Sequence, residues 1–138
     1  MPTITTKHKG DMLFETSVGD HTIITDVMPT PEWGGQNRAP TPPEYFVSSL
    51  GTCVAAFVAR YCKQSGIDAS DMGVEVSFDK AAQPVRLENF RILVRLPHAD
   101  CGERKTAMKR VAENCVLHET LAALGASRIG VEIIDKTG

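Results

Sequence analysis

The sequence predicts a mixed α+β fold, because strand patterns and helix patterns are grouped along the chain and do not alternate strictly. Segments of alternating polarity occupy residues 3–27, and two more lie at 72–80 and 87–96, with helical patterns between and after them. The 138 residues are enough for one compact domain with its own core. We therefore expect a single domain over residues 1–138.

Composition and charge narrow the class of protein. Apolar residues make up 42 % of the chain and charged residues 23 %, which is typical of a water-soluble globular protein. Fifteen Lys and Arg against seventeen Asp and Glu give a formal net charge of −2, so neither nucleic acid nor a membrane surface is expected as a partner. The N-terminal sequence MPTITTKHKGD lacks the apolar core of a signal peptide, and no unbroken apolar run approaches the roughly 20 residues of a membrane helix. We expect a cytoplasmic protein.

The N-terminal strands are predicted to form an antiparallel meander. The segments 3–9, 11–18 and 21–27 are separated by the turn signals Gly10-Asp11 and Gly19-Asp20. Residues 28–43 follow with five prolines and two glycines, which excludes regular structure there. An irregular loop of this length in a small domain is often a binding loop.

A long helix is predicted next. Thr41-Pro42-Pro43-Glu44 combines a Thr cap, proline in the first turn and Glu at the capping-box position, and Gly66 is a typical C-terminal stop. Between Leu50 and Cys62 apolar side chains cover almost every face, which is typical of a helix that is buried on all sides. A domain of this size has difficulty covering such a helix alone, and we therefore expect a homodimer.

The C-terminal half is predicted to contain two strands, two helical segments and a last strand. In chain order these are residues 72–80, 87–96, 103–114, 118–124 and 129–134. The two helical segments are interrupted at Cys115-Val116-Leu117, and Gly125 ends the second.

The cysteines are the main candidates for chemistry, and their spacing indicates neither a disulfide framework nor a metal site. No pair of Cys53, Cys62, Cys101 and Cys115 has the C-x-x-C spacing of a thioredoxin-type motif or a zinc knuckle. Only Cys115 and His118 are close enough in sequence to be joint zinc ligands. We expect no metal and no cofactor, and we expect partial exposure and no role for Cys62 and Cys101.

Cys53 has a structural and a functional interpretation. It lies mid-helix among small and apolar residues, where a cysteine is most often a small core residue and where burial raises the pKa of a thiol. A reactive Cys53 needs a positive group from another segment, and Arg38, Lys7 and Lys9 are the candidates.

Cys115 and Glu44 have two interpretations as well. At a helix junction the free backbone N–H groups can stabilise a Cys115 thiolate, with His118 on the same side; alternatively Cys115 only accommodates the bend and His118 is a solvated surface residue. Glu44 is either a helix cap or a carboxylate that orients a cation beside the Cys53 thiol. On a straight helix Glu44 and Cys53 lie on opposite faces, which favours the cap.

Two blocks resemble the OsmC/Ohr-type family. RAPTPPEYFVSSLGTCVAAFV is similar to the family's first-cysteine helix, and ERKTAMKRVAENCVLHETL is similar to its second-cysteine block. The resemblance implies an intertwined homodimer with two long central helices packed between antiparallel sheets. It also implies a thiol peroxidase with Cys53, Cys115 and Glu44 in the site. Cys53 would attack an organic hydroperoxide, Cys115 would resolve the sulfenic acid as a disulfide, and an external dithiol would restore both thiols.

The chain departs from the family pattern at two places. KHKGDM stands where the family has an arginine in an early turn, and Val116 replaces the proline after the second cysteine. A non-catalytic OsmC-like protein that binds a hydrophobic ligand or senses redox state is therefore an alternative. A hot-dog-type thioesterase using Glu44 is a further one.

Overall fold

The computed structural model describes residues 2–126 and confirms the α+β class. In this part of the chain the strands are β1 (Thr5–His8), β2 (Phe14–Val18), β3 (His21–Thr25), β4 (Gly73–Ala82) and β5 (Val85–Arg95). The helices are α1 (Pro42–Ser65), α2 (Lys105–Glu113) and α3 (Val116–Ala123). The predicted last strand, residues 129–134, lies outside the described residues. The chain divides into two compact units, residues 1–49 and 50–138, and α1 begins in the first and continues in the second.

The first unit begins with the predicted meander. Its three strands pair antiparallel in the order β1-β2-β3. Val18 pairs with His21 across the two-residue turn, where Gly19 has φ +57°, a left-handed conformation that glycine adopts without steric cost. The turn residues therefore set the strand register as the sequence predicts.

The loop after β3 is organised around Asp26, whose side chain is completely buried. The Asp26 carboxylate accepts hydrogen bonds from the backbone N–H groups of Val27 (2.8 Å), Gln36 (3.3 Å) and Arg38 (3.2 Å), and from Arg38 Nε (2.8 Å). The Arg38 side chain, followed by these backbone donors, holds the pKa of Asp26 well below its usual range despite burial. A Cβ on Gly35 would collide with the carbonyl group of Val27, so only glycine fits this turn of the loop.

Both ends of α1 have the predicted signals. The backbone N–H and hydroxyl of Thr41 donate to Glu44 Oε1 (3.1 and 2.8 Å), and the Glu44 N–H donates to Thr41 Oγ1 (3.4 Å). At the other end Gly66 has φ +66° and the N–H of Ile67 donates to the carbonyl of Cys62 (2.9 Å). The capping box and the glycine stop are confirmed.

The second unit packs its part of α1 with the β4–β5 hairpin, α2 and α3. Its core consists of Leu50, Val54, Val58, Cys62, Met108 and Cys115. The first four are spaced by four residues, so α1 buries one stripe. A Cβ on Gly51 would lie 3.3 Å from Val76 Cγ2, so the absence of a side chain there allows the helix to approach β4 closely. Within one chain α1 is therefore not buried on all sides.

Length and composition alone make α1 resemble a membrane-spanning helix. It is the one helix among residues 2–126 that meets both criteria. The core helix of a water-soluble protein meets them equally, and α1 supplies four residues of the core described above. The criteria therefore do not indicate a membrane span.

Candidate functional site

The fold brings Cys53 and Cys115 together. Cys53 lies on α1, and Cys115 lies in the break between α2 and α3. Cys53 packs against the core that contains Cys115, and it is close enough to raise the pKa of the Cys115 thiol. Cys115 is completely buried, whereas Cys53 is partly buried against the same core and is the more accessible of the two sulfurs. The two cysteines that the family resemblance singled out are therefore neighbours in the fold.

Cys115 also caps α3. Its backbone is extended (φ −65°, ψ 151°), and its Sγ accepts a hydrogen bond from the backbone N–H of His118 at 3.3 Å. The helix begins directly afterwards at Val116, within the predicted interruption. The expectation that free N–H groups at this junction face the Cys115 sulfur is confirmed.

The surroundings of Cys115 favour its protonated form. Burial raises the pKa of Cys115, and the neighbouring Cys53 thiol raises it further. The N–H groups of His118 and Leu117 act in the opposite direction and lower it, but the net shift is upward. Cys115 is therefore held in its protonated form at neutral pH.

Glu44 occupies the start of α1, nine residues before Cys53, and is exposed. Its carboxylate accepts both hydrogen bonds from Thr41 described above, first the hydroxyl and then the backbone N–H, and these lower the pKa of Glu44. The structural role that the sequence predicted for Glu44 is therefore present. Its predicted catalytic role remains a prediction.

The candidate cations of the first unit have carboxylate partners. Arg38 Nε lies 2.8 Å from Asp26 Oδ2, and its guanidinium lies 3.8 Å from Asp11 Oδ2. Lys9 Nζ lies 3.3 Å from Glu15 Oε2. Sequence reasoning singled out Arg38 but missed Asp26, because a single acidic residue at the end of a strand carries no spacing signature for a partner twelve residues away.

The expectation for Cys62 was wrong. Cys62 is completely buried in the core of the second unit, because the four-residue stripe of α1 includes it. Cys101 is partly buried, as expected. All four cysteines are free thiols.

A cavity of about 1070 Å³ lies within the second unit. Its walls are mainly apolar and come from α1, β5, α2 and α3; they include Leu50, Ile92, Met108 and Leu121. His118 lines it too, and among the described residues its buried Nδ1 has no hydrogen-bond partner. Because this nitrogen is buried, the alternative interpretation of His118 as a solvated surface residue was wrong. Neither Cys53 nor Cys115 lines the cavity. Within residues 2–126 no three His, Cys, Asp or Glu side chains are grouped to hold a metal ion.

Comparison with known proteins identifies the family. The family model for OsmC-like protein matches residues 35–126, which include both cysteine blocks. A search of curated proteins gave no match. Among solved structures, an OsmC-like protein from Mycoplasma pneumoniae has a TM-score of 0.69 at 19 % identity and covers 96 % of this chain and 94 % of its own. A candidate osmotic stress induced and detoxification response protein from Psychrobacter arcticus 273-4 has a TM-score of 0.75 at 20 % identity, covering 87 % and 88 %.

A third solved structure has a related fold. The organic hydroperoxide resistance protein OhrB of Bacillus subtilis has a TM-score of 0.57 at 19 % identity and covers 86 % of this chain and 87 % of its own. At this identity the likeness concerns the fold. Together with the family model over more than half of the sequence, it leads to one conclusion: the chain belongs to the OsmC-like protein family.

Proposed function

We propose that the protein is a thiol-dependent hydroperoxide reductase in which Cys53 is the peroxidatic and Cys115 the resolving cysteine. The observation that carries the proposal is the packing of Cys53 against the core that contains Cys115, although the two thiols lie on segments far apart in the sequence. Related folds include a hydroperoxide resistance protein, which supports an organic hydroperoxide as the substrate class.

The first step uses the more accessible sulfur. The Cys53 thiolate attacks the terminal oxygen of the hydroperoxide, the O–O bond breaks, and the departing alkoxide takes a proton to leave as an alcohol. Cys53 becomes a sulfenic acid. The neutral Cys115 S–H beside it stabilises the negative charge of Cys53 before attack, because a hydrogen bond to an ionised acceptor is stronger than one to a neutral acceptor.

The second step uses the buried sulfur. Cys115 attacks the Cys53 sulfenic acid, a disulfide forms and water leaves. The pKa of Cys115 falls again once Cys53 has lost its negative charge, since one of the causes that raised it has gone. The N–H groups of His118 and Leu117 then favour the attacking thiolate. An external dithiol reduces the disulfide and restores both thiols by exchange.

Glu44 and a cation complete the proposed site. Glu44 would orient a positive group beside Cys53, and Arg38 and Lys9 are the candidates for that group. Both already bind carboxylates in the first unit, which fixes their side chains and limits the charge they can offer. Glu44 is thus proposed as a positioning residue.

Assembly and location belong to the same proposal. A second copy of the chain would cover the apolar side chains of α1 that the core stripe does not bury, giving the intertwined homodimer and one OsmC-like domain per chain over residues 1–138. Free thiols persist in a reducing compartment, which supports a cytoplasmic location. Sedimentation at twice the chain mass is the expected result, and sedimentation as a monomer at micromolar concentration would contradict the dimer.

Turnover of tert-butyl hydroperoxide with dithiothreitol tests the activity. Cys53→Ser should remove most of the rate, because the sulfur proposed to attack the peroxide is gone. Lys63→Ser is the control, since it places the same residue at an exposed position on the same helix and should keep the wild-type rate. Unchanged turnover in Cys53→Ser, with the fold checked by circular dichroism, would contradict the mechanism.

The cavity favours a second candidate function, the binding of a hydrophobic ligand without catalysis. Its volume is at the upper end of the range for small-molecule sites, its walls are mainly apolar, and His118 Nδ1 offers a polar anchor. Under this function Ala112→Trp, which fills the cavity from α2, should abolish the binding of an apolar fluorescent probe, and the wild type should show no peroxide turnover above that of the dithiol alone. Equal probe binding by Ala112→Trp and the wild type would exclude the cavity as the site.

A further inference from the structure

A second pair of cysteines, Cys62 and Cys101, packs in the core of the second unit. Cys62 lies near the C-terminal end of α1 and is completely buried in the core. Cys101 lies between β5 and the short 3₁₀ helix Gly102–Arg104, and it packs against that core. Cys101 thus packs against the same cluster of buried side chains that contains Cys62. Burial raises the pKa of Cys62, and the nearby Cys101 raises it further.

A hydrogen-bonded brace holds the two segments together. The Arg104 guanidinium donates to the carbonyl oxygen of Ser65 at 2.8 Å, and the backbone N–H of Arg104 donates to the carbonyl of Cys101 at 2.9 Å. Ser65 follows Cys62 by three residues on α1, so the two share a helix face. The brace therefore fixes the segment that carries Cys101 against the part of α1 that carries Cys62.

The two thiols differ in access. Cys101 lines the cavity and is partly exposed, whereas Cys62 is enclosed by the core. An oxidant that enters the cavity therefore reaches Cys101 before Cys62. Cys53 and Cys115 show the same difference, with one sulfur accessible and the other enclosed.

We propose that Cys62 and Cys101 are a second redox-active pair, which hydroperoxide oxidises to an intramolecular disulfide that links α1 to the segment between β5 and α2. The Cys101 thiolate attacks the O–O bond and becomes a sulfenic acid as an alcohol leaves. The Cys62 thiol then loses its proton and attacks that sulfur, and water leaves as the disulfide forms. No step involves Cys53 or Cys115.

The second pair reacts more slowly than the first. The pKa of Cys62 is lowered by its own backbone N–H, whereas two N–H groups at the start of α3 lower that of Cys115. The resolving step therefore accelerates as the pH rises toward the raised pKa of Cys62. The disulfide would fix one wall of the cavity, because Cys101 belongs to that wall. The Cys62–Cys101 disulfide therefore forms on prolonged exposure to oxidant, after turnover at Cys53 has been saturated.

The Cys53→Ser/Cys115→Ser double variant tests the proposal, because it keeps only Cys62 and Cys101. After incubation with excess tert-butyl hydroperoxide, intact mass should show the loss of two hydrogen atoms, and no free thiol should remain in denaturant. The added change Cys62→Ser should instead leave a Cys101 sulfenic acid that dimedone traps. Two surviving thiols, or crosslinks only between chains on a non-reducing gel, would overturn it.

Peptide mapping of the oxidised wild type provides the same test without substitutions. A peptide pair joined through Cys62 and Cys101 is the expected product at high peroxide, and Cys62 found only as a free thiol would refute the proposal. The result is independent of the proposed peroxidase. Loss of turnover in Cys53→Ser, together with the absence of a disulfide between Cys62 and Cys101, would support the proposed peroxidase and refute the second pair.

Discussion

Replacement of Cys115 by Ser or by Ala separates its two roles. In both variants no sulfur remains beside Cys53 to resolve its sulfenic acid, so without dithiol each should consume about one equivalent of hydroperoxide at Cys53 and then slow to the rate of the second pair. Dimedone should trap Cys53 in both. The variants differ in the cap of α3, because Ser retains an acceptor for the His118 N–H and Ala does not.

The stability difference follows from that one hydrogen bond. Loss of an N-cap acceptor costs about 1 kcal/mol, so Cys115→Ala should unfold with a free energy about 1 kcal/mol below that of Cys115→Ser. This corresponds to a roughly fivefold change in the folding equilibrium. In the native protein the Cys115 sulfur accepts this hydrogen bond at 3.3 Å. In Cys115→Ser the hydroxyl is buried in the core, but it accepts an N–H more strongly than sulfur does, and this partly offsets the cost of its burial.

Urea unfolding and a stoichiometric peroxide assay measure the two effects separately. Equal unfolding free energies for the Ser and Ala variants would refute the capping role of Cys115. Sustained turnover in Cys115→Ser at the wild-type rate would refute its resolving role. Either result leaves the other role to be judged on its own measurement.

Three further predictions concern the first unit and the start of α1. Folding lowers the pKa of Asp26, so its contribution to stability is fully present above the ordinary Asp pKa near 4 and is lost as the pH falls toward the folded value. Asp26→Asn should therefore reduce the loss of unfolding free energy at acid pH. An unchanged acid dependence would contradict this. Glu44→Ala should lower the thermal midpoint of unfolding more than Glu44→Gln, because glutamine keeps an acceptor for Thr41. A loss of turnover in Glu44→Gln without a loss of stability would support the proposed positioning role. Gly35→Ala should destabilise the protein by about 2 kcal/mol in urea unfolding, because its Cβ meets the Val27 carbonyl, and a neutral result would show that this loop can rearrange.

The sequence predicted those parts of the fold that local patterns determine. Alternating polarity and the Gly19-Asp20 turn predicted β2 and β3, and the capping box and Gly66 predicted the limits of α1. Each signal acts within a few residues, so that one sequence suffices to interpret it. The helix junction at Cys115 was predicted for the same reason.

Contacts between distant segments had no such local signal. The pairing of Cys53 with Cys115 came from resemblance to a family, because the small and apolar neighbours of Cys53 alone favoured a structural role. The burial of Cys62 was missed because an apolar helix does not reveal which of its faces one chain covers. The Asp26–Arg38 ion pair was missed because it closes a loop with no repeated pattern, and such loops are determined by tertiary packing.

The disulfide formed after one equivalent of organic hydroperoxide tests the central claim most directly. The wild-type protein, treated at neutral pH, alkylated and digested without reductant, should yield a peptide pair that joins Cys53 to Cys115 within one chain. That product requires a sulfur that attacks peroxide and a second sulfur already in contact with it. Full recovery of both residues as alkylated thiols, after the peroxide has remained unconsumed, would contradict the account.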